Sequence, residues 1–220
     1  MNIVCLIAVP LFFIMISFYF RFWMDSDNSK RIYALFAWGF FFGVLYYTLS
    51  PLAASSFDNK IALSAVFAKS MLIDGLLFGG VFALTCIWLC YWLSEDDMHN
   101  MSVGATGAFG YLCGTMTVRN ILIFIRQEYT DNILLYIPFI LFLIAVCAVV
   151  GIFYGLTRDA DEAWKKLLFI TAGMLACGVL TGIYSFLSFV NNWTIWIIAA
   201  ISLALSIVFY FIDYREYSDE

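Results

Sequence analysis

Four polar residues stand inside otherwise apolar runs of this 220-residue chain: Lys69, Asp74, Arg119 and Asn120. An ionisable side chain in a run long enough to cross a bilayer is costly, and it reads as a functional site by default. Lys69 and Asp74 share one run, Arg119 and Asn120 the next. If those runs are antiparallel neighbours, all four residues fall in the same half of the membrane, and Asp74 meets Arg119 across the hairpin. They form the candidate substrate-binding set, a polar pocket that binds a solute or relays protons. The competing reading is a structural ion pair, with Lys69 stretching its ammonium to the outer interface.

Other chemistry is poorly supplied. The single histidine, His99, lies in a polar break, so paired-histidine haem ligation, a histidine-rich metal site and an embedded serine–histidine pair are not available. Asp74 is the one clearly embedded carboxylate, which leaves no aspartate pair, and the last apolar run has no lysine for a retinal Schiff base. Cys5, Cys86, Cys90, Cys113, Cys147 and Cys177 are spread over five runs, and only Cys86 and Cys90 share a helical face. Thiols in such places behave as small hydrophobes. The expectation is a protein that is not an enzyme and carries no cofactor or metal.

The surrounding composition explains why those few residues matter. Hydrophobic residues make up 64% of the chain and charged ones 12%, against about 25% charged in a soluble domain; the mean hydropathy is +0.94. A soluble enzyme, a nucleic-acid-binding domain and a disordered tail are excluded. A helix crosses roughly 30 Å of hydrocarbon with about 20 apolar residues. The polar breaks leave seven apolar stretches, near 3–24, 32–54, 63–93, 101–125, 132–157, 167–190 and 193–212. They run without strict alternation, so they are helices rather than barrel strands. The fold class is therefore an all-α polytopic membrane protein with seven transmembrane helices in a single domain, 1–220. The third stretch is too long for a simple span, so Ile61 to Ser70 is expected to be interfacial, re-entrant or part of a strongly tilted helix. The first residues lack a basic region and a cleavage site, and the first stretch reads as a retained helix.

Orientation follows from lysine and arginine near the ends of the stretches. Arg21, Lys30, Arg31, Arg158, Lys165, Lys166 and Arg215 fall on one side, Lys60 and Arg126 on the other. This places the N-terminus outside and the C-terminus in the cytoplasm. The acidic loop Glu95–Asp97 carries little topological weight. Asn192-Trp193-Thr194 is a weak glycosylation sequon on the outer side.

Glycine spacing is the most specific signal. Gly39/Gly43, Gly75/Gly79, Gly110/Gly114, Gly151/Gly155 and Gly178/Gly182 each stand four apart. Such pairs clear one helix face so that another backbone can approach closely. The fourth stretch adds Gly104 and Gly107 and is expected to sit centrally. The chain is also weakly repetitive. Val9-Pro10, Lys30-Arg31 and Gly43-Val44-Leu45 have counterparts in Ile137-Pro138, Lys165-Lys166 and Gly178-Val179-Leu180. Two parallel three-helix units, 3–93 and 132–213, joined by a linker helix at 101–125, account for this. The layout resembles the three-one-three arrangement of SWEET-type transporters, with none of their sequence motifs.

Tryptophans 23, 88, 92, 164, 193 and 196 fall near expected interfaces, as an aromatic belt does. Trp38, with Tyr33, Tyr46 and Tyr47, either lines a pocket or faces lipid. Two classes of function remain: a small-solute transporter or channel with a polar pocket between the third and fourth helices, and a non-catalytic integral-membrane subunit of a larger complex. The partners expected are the lipid bilayer, a small solute, and a second copy or a membrane subunit meeting the glycine faces, with no nucleic acid.

Overall fold

The computed structural model describes residues 26–55, 63–93, 100–126, 136–190 and 192–218. Apart from the connection at 160–162, these residues are all helical. Six helices follow one another: α1 Ser26–Ser55, α2 Leu63–Leu93, α3 Asn100–Arg126, α4 Tyr136–Asp159, α5 Ala163–Val190 and α6 Asn192–Ser218. Four carry windows long and apolar enough to cross a membrane: Tyr33–Ala53, Leu63–Leu93, Leu141–Asp159 and Ala163–Val190. The described residues thus give six helices, and a count of seven is not reached; the stretch 3–24 and Cys5 lie outside them.

Charged residues expected in loops are partly helical. α1 includes Lys30 and Arg31, and the α4–α5 connection shrinks to Ala160–Glu162. The carbonyl of Glu162 accepts the first backbone bonds of α5, from Lys165 at 3.0 Å and Lys166 at 3.1 Å. Its carboxylate pairs with Lys165 at 3.6 Å, an acid placed at the positive end of the helix dipole. Pro138 falls in the first turn of α4, where a missing N–H forfeits no helical bond.

The described part of the segment expected to be interfacial, re-entrant or within a strongly tilted helix is the start of a continuous helix. Leu63–Lys69 runs into a π-helical stretch, Ser70–Gly80, and then into Val81–Leu93 without a break. The first turns dock rather than bend away: the Phe67 ring meets Phe186 of α5 edge-on at 5.1 Å. Gly75, Gly79 and Gly80 of this stretch lie against α5.

Glycine decides which helices touch. α1 and α3 lie parallel, with Leu35 beside Gly107, Gly39 beside Tyr111 and Gly43 beside Thr115. The Thr115 hydroxyl is 3.0 Å from the Gly39 carbonyl and 3.1 Å from that of Tyr111, sharing one proton between the two helices. α2 and α5 lie antiparallel, pairing Met71 with Gly182, Gly75 with Gly178, and Gly79 with Cys177 and Thr181. α3 packs against α4 through Met101, which faces Gly151 and Gly155, and through Gly104 against Tyr154. α3 therefore contacts α1, α2 and α4. The glycine faces are engaged within the chain.

The α2–α5 contact is asymmetric, which yields a prediction. A Cβ on Gly75 would sit 2.7 Å from the Gly178 carbonyl oxygen, whereas one on Gly178 would sit 3.5 Å from that of Gly75. Gly75→Ala must displace backbone and is expected to cost about 1–3 kcal/mol, as overpacking does. Gly178→Ala fits at ordinary contact and is expected to be near neutral. Denaturation curves in detergent check both; equal curves for the two variants would contradict this packing.

The enclosed core joins the second half of α2 to α3, α4 and α5, through Phe82, Ala83, Cys86, Ile87, Val150 and Cys177. The five described cysteines are all buried and free, and the Cys86 and Cys90 sulfurs lie 3.9 Å apart. Trp88, Trp92, Trp164 and Trp193 are turned outward, as is Trp38, whose ring meets Phe41 edge-on. Trp38 therefore belongs to the outer surface of α1.

A candidate functional site around Asp74

Asp74 sits in the π-helical stretch of α2, immediately before Gly75. The segment packs chiefly against α5 and less extensively against α1, so the carboxylate looks toward those helices. Its Oδ1 accepts a hydrogen bond from the Tyr46 hydroxyl of α1 at 3.0 Å. Its Oδ2 accepts one from the Ser185 hydroxyl of α5 at 2.5 Å. Ser70 Oγ, one turn earlier on α2, is 3.5 Å from Ser185 Oγ. Three helices thus converge on one carboxyl group through neutral hydroxyls. Among the described residues no ion pair within 4.0 Å involves Asp74.

Aromatic rings wall this group. Tyr46 meets Tyr47 edge-on and Phe78 at a tilt, both at 4.9 Å. Behind them, Phe78 stacks on Phe82 at 6.1 Å, and Phe82 meets Tyr111 of α3 at 5.3 Å. The chain of rings ties Tyr46 to the enclosed core, which fixes the hydroxyl that reaches Asp74.

Arg119 is placed differently from expectation. Its guanidinium lies over the Phe139 ring of α4, 4.6 Å from the centroid, a favourable arrangement for a cation away from water. Phe139 leans on Tyr184 at 6.0 Å, and Tyr184 stacks on Phe142 at 4.1 Å. Arg119 and Asp74 do not form the expected ion pair. It is chiefly the second half of α2 that packs on α3, whereas the half that carries Asp74 turns to α5 and α1. Lys69 is half-buried at the start of the π-helical stretch and has a partner of its own. Asn120 is part of α3, and its side chain lies outside the described residues.

Among the described residues, the polar contacts of Asp74 gather between α1, α2 and α5. Sequence reasoning missed Ser70 and Ser185 and gave Tyr46 no role at Asp74. A signal existed. Gly178, Gly182 and Ser185 stand at i, i+4 and i+7, the spacing of one helix face, and Gly39, Gly43 and Tyr46 repeat that spacing.

A double-mutant cycle separates the two arrangements. A hydrogen bond to a charged group is worth about 1.5–3 kcal/mol, so Asp74→Asn and Ser185→Ala are expected to be coupled on that scale. Asp74→Asn and Arg119→Gln are expected to add within about 0.5 kcal/mol, as non-contacting sites do. Detergent unfolding free energies give both terms; a larger coupling to Arg119 than to Ser185 would contradict the geometry.

The fold and the site define an all-helical protein of membrane type with a hydroxyl-bound carboxyl group among its helices. No protein-family model, curated protein or solved structure matches the chain.

Proposed function

We propose that the chain is a small-solute membrane transporter or channel, not an enzyme, with its polar site centred on Asp74. The observation that carries this reading is the state of that carboxylate: held by Tyr46 and Ser185, with no cation within 4.0 Å among the described residues. A clamp between helices needs only a neutral amide, whereas a carboxylate in apolar surroundings is expensive to keep. Lys69, Arg119 and Asn120 are the further polar residues proposed for the solute's path. The glycine contact between α2 and α5 supports the reading, since small residues let packed helices slide against one another. The proposed orientation is N-terminus outside and C-terminus cytoplasmic, with Arg158, Lys165 and Lys166 on the inner side.

The second reading is a non-catalytic subunit of a membrane complex. It is favoured by the outward face of α1, where Tyr33, Trp38, Phe41, Leu45, Leu49 and Leu52 are all exposed. Swelling of proteoliposomes in a panel of small neutral and charged solutes tests transport. The transport reading predicts at least one solute that enters faster than into empty vesicles, and loss of that excess in Asp74→Asn protein that remains folded. No excess for any solute, or an undiminished excess in the variant, favours the subunit.

A further inference from the structure

We propose that the ligand exchanged at Asp74 is a proton, with Ser185 and Ser70 as the hydroxyls that rearrange around it; its use in moving a solute rests on the transport reading above. Three observations on the site converge. The first is room. Ser185 Oγ is 2.5 Å from Oδ2 and Tyr46 Oη is 3.0 Å from Oδ1, so both carboxylate oxygens are in direct contact with their donors. A metal ion must first part these oxygens, whereas a proton needs no space. The second is charge. Among the described residues no cation lies within 4.0 Å of the carboxylate, and a single proton cancels its charge.

The third observation is the kind of partner. A hydroxyl both donates and accepts, unlike an ammonium or a guanidinium. When Oδ2 takes a proton from water reaching the site, the carboxylate becomes a neutral carboxyl whose new O–H donates to Ser185 Oγ. The Ser185 hydroxyl then turns its own proton toward Ser70 Oγ, 3.5 Å away. Release to water on the other side reverses these steps. One proton enters and one leaves, and no other bond changes.

Among the described residues the charged and titratable groups around Asp74 are few. α1 contributes Tyr46 and Tyr47, and α2 contributes Lys69 one turn earlier. Arg119 of α3 lies over the Phe139 ring of α4. α5 contributes the neutral Ser185, its lysines Lys165 and Lys166 being at the opposite end of the helix.

Infrared difference spectroscopy of the full chain in lipid, between alkaline and acid buffer, reads this proton directly. The chain has 16 aspartates and glutamates, so the readout is the parent spectrum minus that of Asp74→Asn; the expected result there is a carboxylic-acid carbonyl band that grows on acidification and shifts when Ser185→Ala is added. If Asp74→Asn fails to fold, Asp74→Glu is expected to keep the band at a displaced frequency. No such band in the parent-minus-Asp74→Asn spectrum, or one left unmoved in Asp74→Glu, overturns the proposal. The spectrum is independent of flux. A band without solute movement upholds the proton site and removes the transport reading, whereas solute movement without a band overturns the proton site and leaves transport standing.

Discussion

Tyr111→Ala is expected to destabilise the protein by about 3–5 kcal/mol, the scale of removing a large buried aromatic ring. Tyr111 is 2% exposed and sits where α1, α2 and α3 meet. Its ring contacts Phe42 of α1 at 5.6 Å and Phe82 of α2 at 5.3 Å. Its hydroxyl is 2.9 Å from that of Thr85. In apolar surroundings the loss is mainly of dispersion contacts, which a void forfeits outright. Tyr111→Phe keeps the rings together and drops one neutral hydrogen bond, for which about 1 kcal/mol is expected. Unfolding of both variants in detergent gives the comparison. A Tyr111→Ala protein as stable as Tyr111→Phe would mean that the ring cluster does not bind α1 to the core.

Gly39→Leu is expected to cost about 3 kcal/mol, at the upper end of ordinary overpacking. A Cβ at Gly39 runs into the Tyr111 carbonyl, and one at Gly114 runs into the Phe36 carbonyl. Both obstacles are backbone, so no rotamer change relieves them. The two helices must separate, which also stretches the Thr115 hydrogen bond to the Gly39 carbonyl. Val44→Leu, on the exposed side of the same helix, is the matched control and is expected to be neutral. Thermal melting in detergent distinguishes them; identical melting points would place Gly39 on a free surface.

Much of the architecture was legible because the bilayer restricts the choices. Apolar runs bounded by charge located the six described helices, and pairs of glycines four apart marked faces that other helices cover. The ends of the helices were less legible. Lys30, Arg31, Lys165 and Lys166 looked like loop residues by charge, yet long cationic side chains are good helix formers that reach water from a terminal turn. The π-helical stretch had no periodic signal, because Ser70–Gly80 is apolar nearly all round.

The candidate site was half legible. Asp74 stood out as a carboxylate among apolar residues, but its partners did not. Charge complementarity pointed to Arg119 on the next helix in sequence. The fold instead turns this half of α2 toward α5, the helix whose Gly178 and Gly182 admit it closely. Ser185 is small and neutral, and its spacing from Gly178 and Gly182 is the one signal it carries in the sequence. Only after α2 and α5 are paired does its position beside Gly182 on one face acquire meaning. Arg119 found an aromatic face instead of an acid, an outcome that counting charges cannot anticipate.

The account depends most on α2 and α5 meeting at Asp74 inside the membrane, and an engineered cross-link measures this directly. Ser70 and Ser185 have hydroxyl oxygens 3.5 Å apart on facing helices, a separation compatible with replacing both by cysteines joined by a disulfide. The Ser70→Cys, Ser185→Cys protein, oxidised in native membranes and digested, is expected to yield the peptide containing position 70 joined to that containing position 185 as its main cross-link. Failure to form that link, while Ser70→Cys pairs readily with a cysteine introduced at position 119 on α3, would contradict the arrangement and remove the hydroxyl-bound Asp74 site with it.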